Sequence, residues 1–281
     1  MKMATRLDQL HQRAYEKCIP LNVTFEITLR CNLRCVHCYN FDRELAYLPS
    51  RSREEELTDA EIHRVLDEVS AEGCLFLAFT GGEALLHPSL EEFIRHASQA
   101  GMAVTVKSNG SLLVPATVDR IAAAGASAVD VSLYGSEAET HDSFVKVPGA
   151  FQRTIDGAQR ARAAGLRVRF SLLILRRNVD QIASMIELAT RMGIPWSADP
   201  QLTARNDGSR SSLDLMAPFV AKNNLVARYN AKYQGVTGWG VGGAARSWIV
   251  RGKTFSLGGA VVDAPIVELS QAAKGSFSDT Y

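Results

Sequence analysis

The chain has 281 residues, of which 46% are hydrophobic and 22% charged, and its formal net charge is +1. That composition is ordinary for a soluble globular protein and carries no global field toward nucleic acid or an anionic membrane. No apolar run approaches the roughly 20 residues of a membrane span, and the start MKMATRLDQLHQRAYEKCIP lacks the apolar stretch of a secretion signal. The expectations are a cytoplasmic protein with no nucleic-acid and no membrane partner.

In chain order, a lead over residues 1–20 precedes a long alternation of short β-rich runs and helical segments. Strands are expected at Asn22–Thr28, Leu75–Thr80, Ala103–Lys107, Ala128–Leu133, Leu166–Leu175 and Ile194–Ala198. Thr58-x-x-Glu61 and Ser89-x-x-Glu92 read as capping boxes, and Asn178 with Gln181 as a similar helix start. Gly73, Gly101, Gly125, Gly165 and Gly193 each follow a helical pattern and precede a strand, where a left-handed helix stop belongs. Such alternation implies parallel strands joined by right-handed crossovers. About six units fit over residues 21–210, too few for a closed eight-fold barrel, so a doubly wound sheet or a partial barrel is expected. Residues 212–233 suggest one or two helices. From Gly235 onward the pattern is lost, and 211–281 reads as a short irregular extension.

Both architectures bind ligands at the carboxyl ends of their strands. The loop Cys31-Asn32-Leu33-Arg34-Cys35-Val36-His37-Cys38-Tyr39 begins just after strand one. Gly81-Gly82-Glu83 follows strand two, Ser108-Asn109-Gly110 follows strand three, and Ser132 ends strand four, so four polar groups share one rim.

There are five cysteines, Cys18, Cys31, Cys35, Cys38 and Cys74, three of them packed into one short loop. This is a poor disulfide framework and a better metal or cluster site. Thiolates suit zinc or iron–sulfur clusters. A structural zinc needs four ligands, and a cubane normally takes four cysteines. Three clustered cysteines would leave one iron open for chemistry. The competing reading is a zinc site completed by His37. Cys74 and Cys18 read as free core thiols, His87 as a turn residue before Pro88, and His141 and Asp142 as a solvated loop. Glu54-Glu55-Glu56 reads as a solvated face. Arg167, Arg169 and Arg176 lie on or beside strand five, where an inward guanidinium would meet a substrate carboxylate.

Cys-x-x-x-Cys-x-x-Cys followed by an aromatic residue resembles the signature of the radical S-adenosylmethionine (SAM) superfamily, and Gly81-Gly82-Glu83 resembles its second motif. The resemblance spans about residues 20–200. It implies a partial (β/α)6 TIM-like barrel and a [4Fe–4S] cluster ligated by Cys31, Cys35 and Cys38. The open iron of that cluster chelates SAM and cleaves it to a 5′-deoxyadenosyl radical that abstracts hydrogen from a substrate. It also implies that Gly81, Gly82 and Glu83 meet the methionyl ammonium, Ser108 and Asn109 the ribose, Ser132 and Lys146 the methionyl carboxylate, and Tyr39 the adenine. A reductant such as flavodoxin or ferredoxin would supply the electron.

Val131-Ser132-Leu133-Tyr134-Gly135, His141-Asp142 and Val147-Pro148-Gly149-Ala150-Phe151 resemble the SPASM/twitch-type branch that matures peptides and cofactors. The implied substrate is a ribosomal peptide precursor, recognised directly or through a separate peptide-recognition protein. The alternatives are cofactor or small-molecule biosynthesis, or an inactive barrel serving as a binding scaffold. Gly242-Gly243-Ala244-Ala245-Arg246-Ser247 resembles a SPASM entry, yet no cysteine follows Cys74 to bind an auxiliary cluster.

Overall fold

The computed structural model describes residues 6–38, 56–199 and, further on, 233–240, 243–251, 254–257, 260–263 and 266–270. Tyr39 lies outside the described residues, and so does the span 212–233, expected to hold one or two helices, except for Tyr233, which is in a strand. After α1 (Arg6–Glu16), strands and helices alternate: β1 (Asn22–Thr28), α2 (Asp59–Ala71), β2 (Phe76–Gly81), α3 (Leu90–Gln99), β3 (Ala103–Ser108), α4 (Pro115–Ala123) and β4 (Ala126–Leu133). They continue with α5 (Ala138–Val145), α6 (Ala150–Ala163), β5 (Arg167–Leu173), α7 (Ile182–Arg191) and β6 (Trp196–Asp199). All six expected strands are present, β1 with the ends expected and the others with ends shifted by at most two residues. The five helix-stopping glycines all adopt positive φ.

β1 to β6 form one parallel sheet whose spatial order equals its chain order. A doubly wound sheet reverses direction at a switch point. Here the order is unbroken and the sheet is not closed. This is the partial barrel.

Contacts divide the described residues into two units, one holding 6–33, 56–132 and 149–170, the other 34–38, 133–148 and residues from 171 on. In the first, Leu77, Phe79, Val104, Val106, Val129 and Val131 are buried with Ile62, Leu66, Phe93, Ile94 and Ile121 of the helices. Phe79 faces Phe93, ring centroids 6.4 Å apart. In the second, Phe144, Leu172, Met185 and Ala189 are fully buried.

Two helix starts differ from expectation. Thr58 and Glu61 form the capping box, with the Thr58 N–H donating to Glu61 at 2.8 Å. Ser89 makes no cap bond, because its hydroxyl donates to Asp59 in the first turn of α2. Asn178 also makes no cap bond and turns back instead, accepting from Leu175 N–H and donating to Tyr134 O and Leu173 O.

The described residues of the C-terminal region, irregular by its sequence pattern, form strands: β7 (Tyr233–Gly240), β8 (Gly243–Arg251), β9 (Thr254–Leu257), β10 (Ala260–Asp263) and β11 (Ile266–Ser270). β8 lies between β7 and β11, and β9 pairs with β10, all antiparallel. Nine of the chain's 21 glycines fall after residue 234 and interrupt the apolar alternation by which strands are recognised.

Candidate active site

The site begins where β1 and β2 end side by side. The Gly82 N–H donates to Thr28 O and the Glu83 N–H to Arg30 O, both at 2.8 Å. Glycine is required by this approach: a Cβ at Gly81 would stand 2.1 Å from Thr28 O, and one at Gly82 2.4 Å from Arg30 O. The Gly-Gly-Glu segment is thereby fastened to the residues immediately before Cys31.

Glu83 is 1% exposed. Its carboxylate accepts the N–H of Asn109 at 2.8 Å and of Leu85 at 3.2 Å. Burial pushes this carboxyl up to about 7, against the opposing pull of Asn109, Ser108 and Leu85. The β2 and β3 exits are therefore joined through one acidic side chain.

The β3 exit reaches back to the cysteine loop. Asn109 Nδ2 donates to Asn32 Oδ1 at 2.8 Å, and Asn32 Nδ2 donates to Ser111 Oγ at 2.8 Å. Asn109 Oδ1 accepts from the Ser111 N–H at 2.9 Å and its hydroxyl at 2.6 Å. Ser108 Oγ accepts the Gly110 N–H at 2.9 Å. Asn109 O accepts from Thr154 at 2.8 Å. Asn32 and Ser111 were not singled out in the sequence; the Asn in the cysteine motif and the Ser after Asn109-Gly110 were the available signals.

The second half of the loop has a different anchor. Arg34 N–H donates to Val145 O and Val36 N–H to Phe144 O, both at 2.9 Å, and Cys38 N–H turns onto Cys35 O. The His37 ring lies 4.7 Å from the Tyr134 ring and 6.1 Å from that of Phe144. His37, in the second half of the loop, thus packs among aromatic rings. Among the described residues no three His, Cys, Asp or Glu side chains are gathered for a single metal ion. Thiolates binding separate irons of a cubane need no such convergence. The donor set suits a cluster: three partly exposed thiols on one loop, with Cys31 Sγ accepting the Leu33 N–H at 3.4 Å.

Ser132 is half-buried near the end of β4, and Lys146 is exposed, closing α5 in a left-handed conformation with its N–H on Asp142 O at 2.8 Å. His141 is fully buried in α5 rather than on a solvated loop, with the Tyr134 ring packed against it; its Nδ1 lies 3.4 Å from the Tyr134 N–H. Burial draws its pKa down to about 4, against Asp142. His87 serves the turn, its Nδ1 accepting the Ser89 N–H. Cys74 is buried as expected, and burial raises its thiol pKa. Cys18 is exposed just after α1, not in the core. Arg169 pairs with Asp130 of β4, its Nε 3.1 Å from Oδ1, and Arg167 Nε bonds Ser127 O.

Glu56 is the clearest departure from the sequence reading. It is not on a solvated face: Thr28 and Leu29 bond its carboxylate, and Arg30 pairs with it. Desolvation acts to raise its pKa, yet these partners hold it below the usual value.

The sequence pattern described as "Radical SAM superfamily" matches residues 25–189, more than half of the chain. The chain belongs to the radical SAM superfamily. Members of this superfamily are enzymes that use a [4Fe–4S] cluster and SAM. AdoMet-dependent heme synthase of Methanosarcina barkeri is 37% identical over 174 residues, covering 62% of this chain and 48% of that protein. Mycofactocin maturase MftC of Mycobacterium tuberculosis is 31% identical over 177 residues, covering 62% and 43%. The chain therefore spans about half the length of the curated relatives it matches. The crystal structure of Streptococcus suis SuiB bound to S-adenosylmethionine shares the fold with a TM-score of 0.56 at 16% identity, covering 80% of this chain and 52% of that one. The two curated relatives are thus a synthase and a maturase. Among the described residues no helix is long and apolar enough to cross a membrane.

Proposed function

We propose that this protein cleaves SAM reductively at a [4Fe–4S] cluster held by Cys31, Cys35 and Cys38, and abstracts hydrogen from a ribosomal peptide precursor. The cluster, when bound, supplies the electron that breaks the SAM sulfonium into methionine and a 5′-deoxyadenosyl radical. The observation carrying this reading is the bonding of the Gly81–Glu83 segment to the residues just before Cys31, which fixes a cluster loop against a second motif.

In this reading the Gly81–Glu83 segment receives the methionyl ammonium, and Ser108 and Asn109 lie along the ribose. Ser132 and Lys146 take the carboxylate, and Tyr39 the adenine. Glu83 and Asn32 hold the β1, β2 and β3 exits in register, so the cofactor meets a preformed rim. The barrel would occupy residues 21–210, after a lead over 1–20 and before an extension over 211–281. The protein works in the cytoplasm with a flavodoxin- or ferredoxin-like reductant and, for a peptide, a separate recognition protein. A second reading, a cofactor precursor as substrate, is favoured by the 37% identity to a heme synthase.

Anaerobic reconstitution tests the core of the proposal. The expected result is about four irons per chain and SAM-dependent formation of 5′-deoxyadenosine, both lost in Cys35→Ala while the fold is kept. Deoxyadenosine no higher than in a cluster-free control would overturn the enzymatic reading and favour a binding scaffold.

A further inference from the structure

A carboxylate removed from water is costly unless it is paired and bonded. Glu56 is in that situation just ahead of α2, with its side chain 4% exposed. Its Oε1 accepts the Thr28 hydroxyl at 2.6 Å and the Leu29 N–H at 2.8 Å. Its Oε2 lies 3.4 Å from the Arg30 guanidinium. These three residues are consecutive, and the next is Cys31.

Two further observations give the contact a purpose. The β1–β2 register slips between Glu26 and Thr28, so the strand ladder loosens its control of the backbone where Glu56 takes hold. The capping box at Thr58 and Glu61 fixes the start of α2 two residues later, so the carboxylate is presented from a rigid base.

We propose that Glu56 is a positioning residue for the cluster: it clamps Thr28, Leu29 and Arg30, and through them sets the Cys31 thiolate relative to the Gly81–Glu83 segment. It acts through the backbone before Cys31. The inference rests on the cluster assignment above, and its test is built so that the two fail separately.

Three variants are compared. Glu56→Gln keeps the shape and an acceptor but loses the charge facing Arg30, whereas Glu56→Ala removes the clamp. Thr58→Ala weakens the same helix start without touching Thr28–Arg30, and so controls for general loosening. In cluster-free protein, iodoacetamide alkylation is followed at each cysteine by mass spectrometry. Cys31 labelling is expected to quicken about tenfold in Glu56→Ala and less in Glu56→Gln. Thr58→Ala should label Cys31 as the wild type does, and buried Cys74 should be constant throughout. In reconstituted protein, iron release to a chelator is expected to be about tenfold faster in Glu56→Ala, and the electron paramagnetic resonance change on adding SAM should be diminished.

Unchanged Cys31 labelling in both Glu56 variants overturns the inference, as does a Thr58→Ala profile equal to that of Glu56→Ala. Should Glu56→Ala not fold, Glu56→Gln against Thr58→Ala decides. If wild-type protein takes up no cluster, the functional reading fails, while the alkylation result still decides the role of Glu56.

Discussion

The residues from Thr28 to Leu33 and those from Arg34 to Cys38 adjoin in the chain, but different forces hold them. The first stretch is gripped by polar side chains: Glu56 on Thr28, Leu29 and Arg30, and Ser111 and Asn109 on Asn32. The second is held by two backbone hydrogen bonds to the end of α5 and by His37 seated among Tyr134 and Phe144. A polar grip is directional and is undone by changing a few atoms. An apolar seat tolerates polar edits nearby but not loss of volume. The two halves of the cysteine loop should therefore fail under different substitutions.

The largest effect should come from the apolar half. Phe144 is fully buried, and Phe144→Ala is expected to cost roughly 3–5 kcal/mol in denaturant unfolding. A loss below about 1 kcal/mol would mean the aromatic seat collapses without penalty, and the contrast would be wrong.

Next in size are two buried titrations of opposite sign, one beside each half. Glu83 has its folded pKa raised from 4.5 to about 7. Between those values the unfolded chain gives up its proton first, so stability falls as pH rises, by about 3 kcal/mol in all. His141 has its folded pKa lowered from 6.5 to about 4. Its contribution is complete above 6.5 and is lost as pH falls toward 4, again by about 3 kcal/mol. From about pH 4.5 to 6.5 the slopes oppose, so the two contributions cancel if both units unfold together. His141→Gln should expose a stability that declines with rising pH, and Glu83→Gln one that climbs. Unfolding curves at several pH values measure both; identical slopes in the two variants would refute the paired assignment.

The barrel was legible because its signals are local and periodic. Six apolar runs marked the strands, five glycines marked the helix stops, and Thr58-x-x-Glu61 named a cap. The cysteine spacing pointed to a cluster, and the rim rule drew attention to Glu83 and Asn109, which the structure joins by a hydrogen bond. What stayed hidden depends on partners remote in the sequence. Asn32 meets Ser111 79 positions away, and Glu56 reads as one acid in a charged run until the fold sets Thr28 against it. Ser89 carried a capping pattern, but Asp59 offered its hydroxyl a better acceptor. The C-terminal strands were missed because glycine removes the side chains that period-2 reading requires.

The smallest effect tests the polar half most directly. Asn32→Ala removes the donor to Ser111 Oγ and the acceptor of Asn109 Nδ2, leaving a nearly buried amide short of a partner. A stability loss of about 1–2 kcal/mol is expected. Ser111→Ala should cost less, since Asn109 Oδ1 keeps the Ser111 N–H. The double variant separates a true link from two independent losses: a coupling of at least about 0.5 kcal/mol marks Asn32 and Ser111 as one network. Strict additivity would mean that Asn32 and Ser111 contribute separately, leaving the bond from Asn109 to Asn32 as the link between the β3 exit and the cysteine loop. The polar half would then depend on Glu56, on the bond from Asn109 to Asn32 and on the backbone bonds from Gly82 and Glu83.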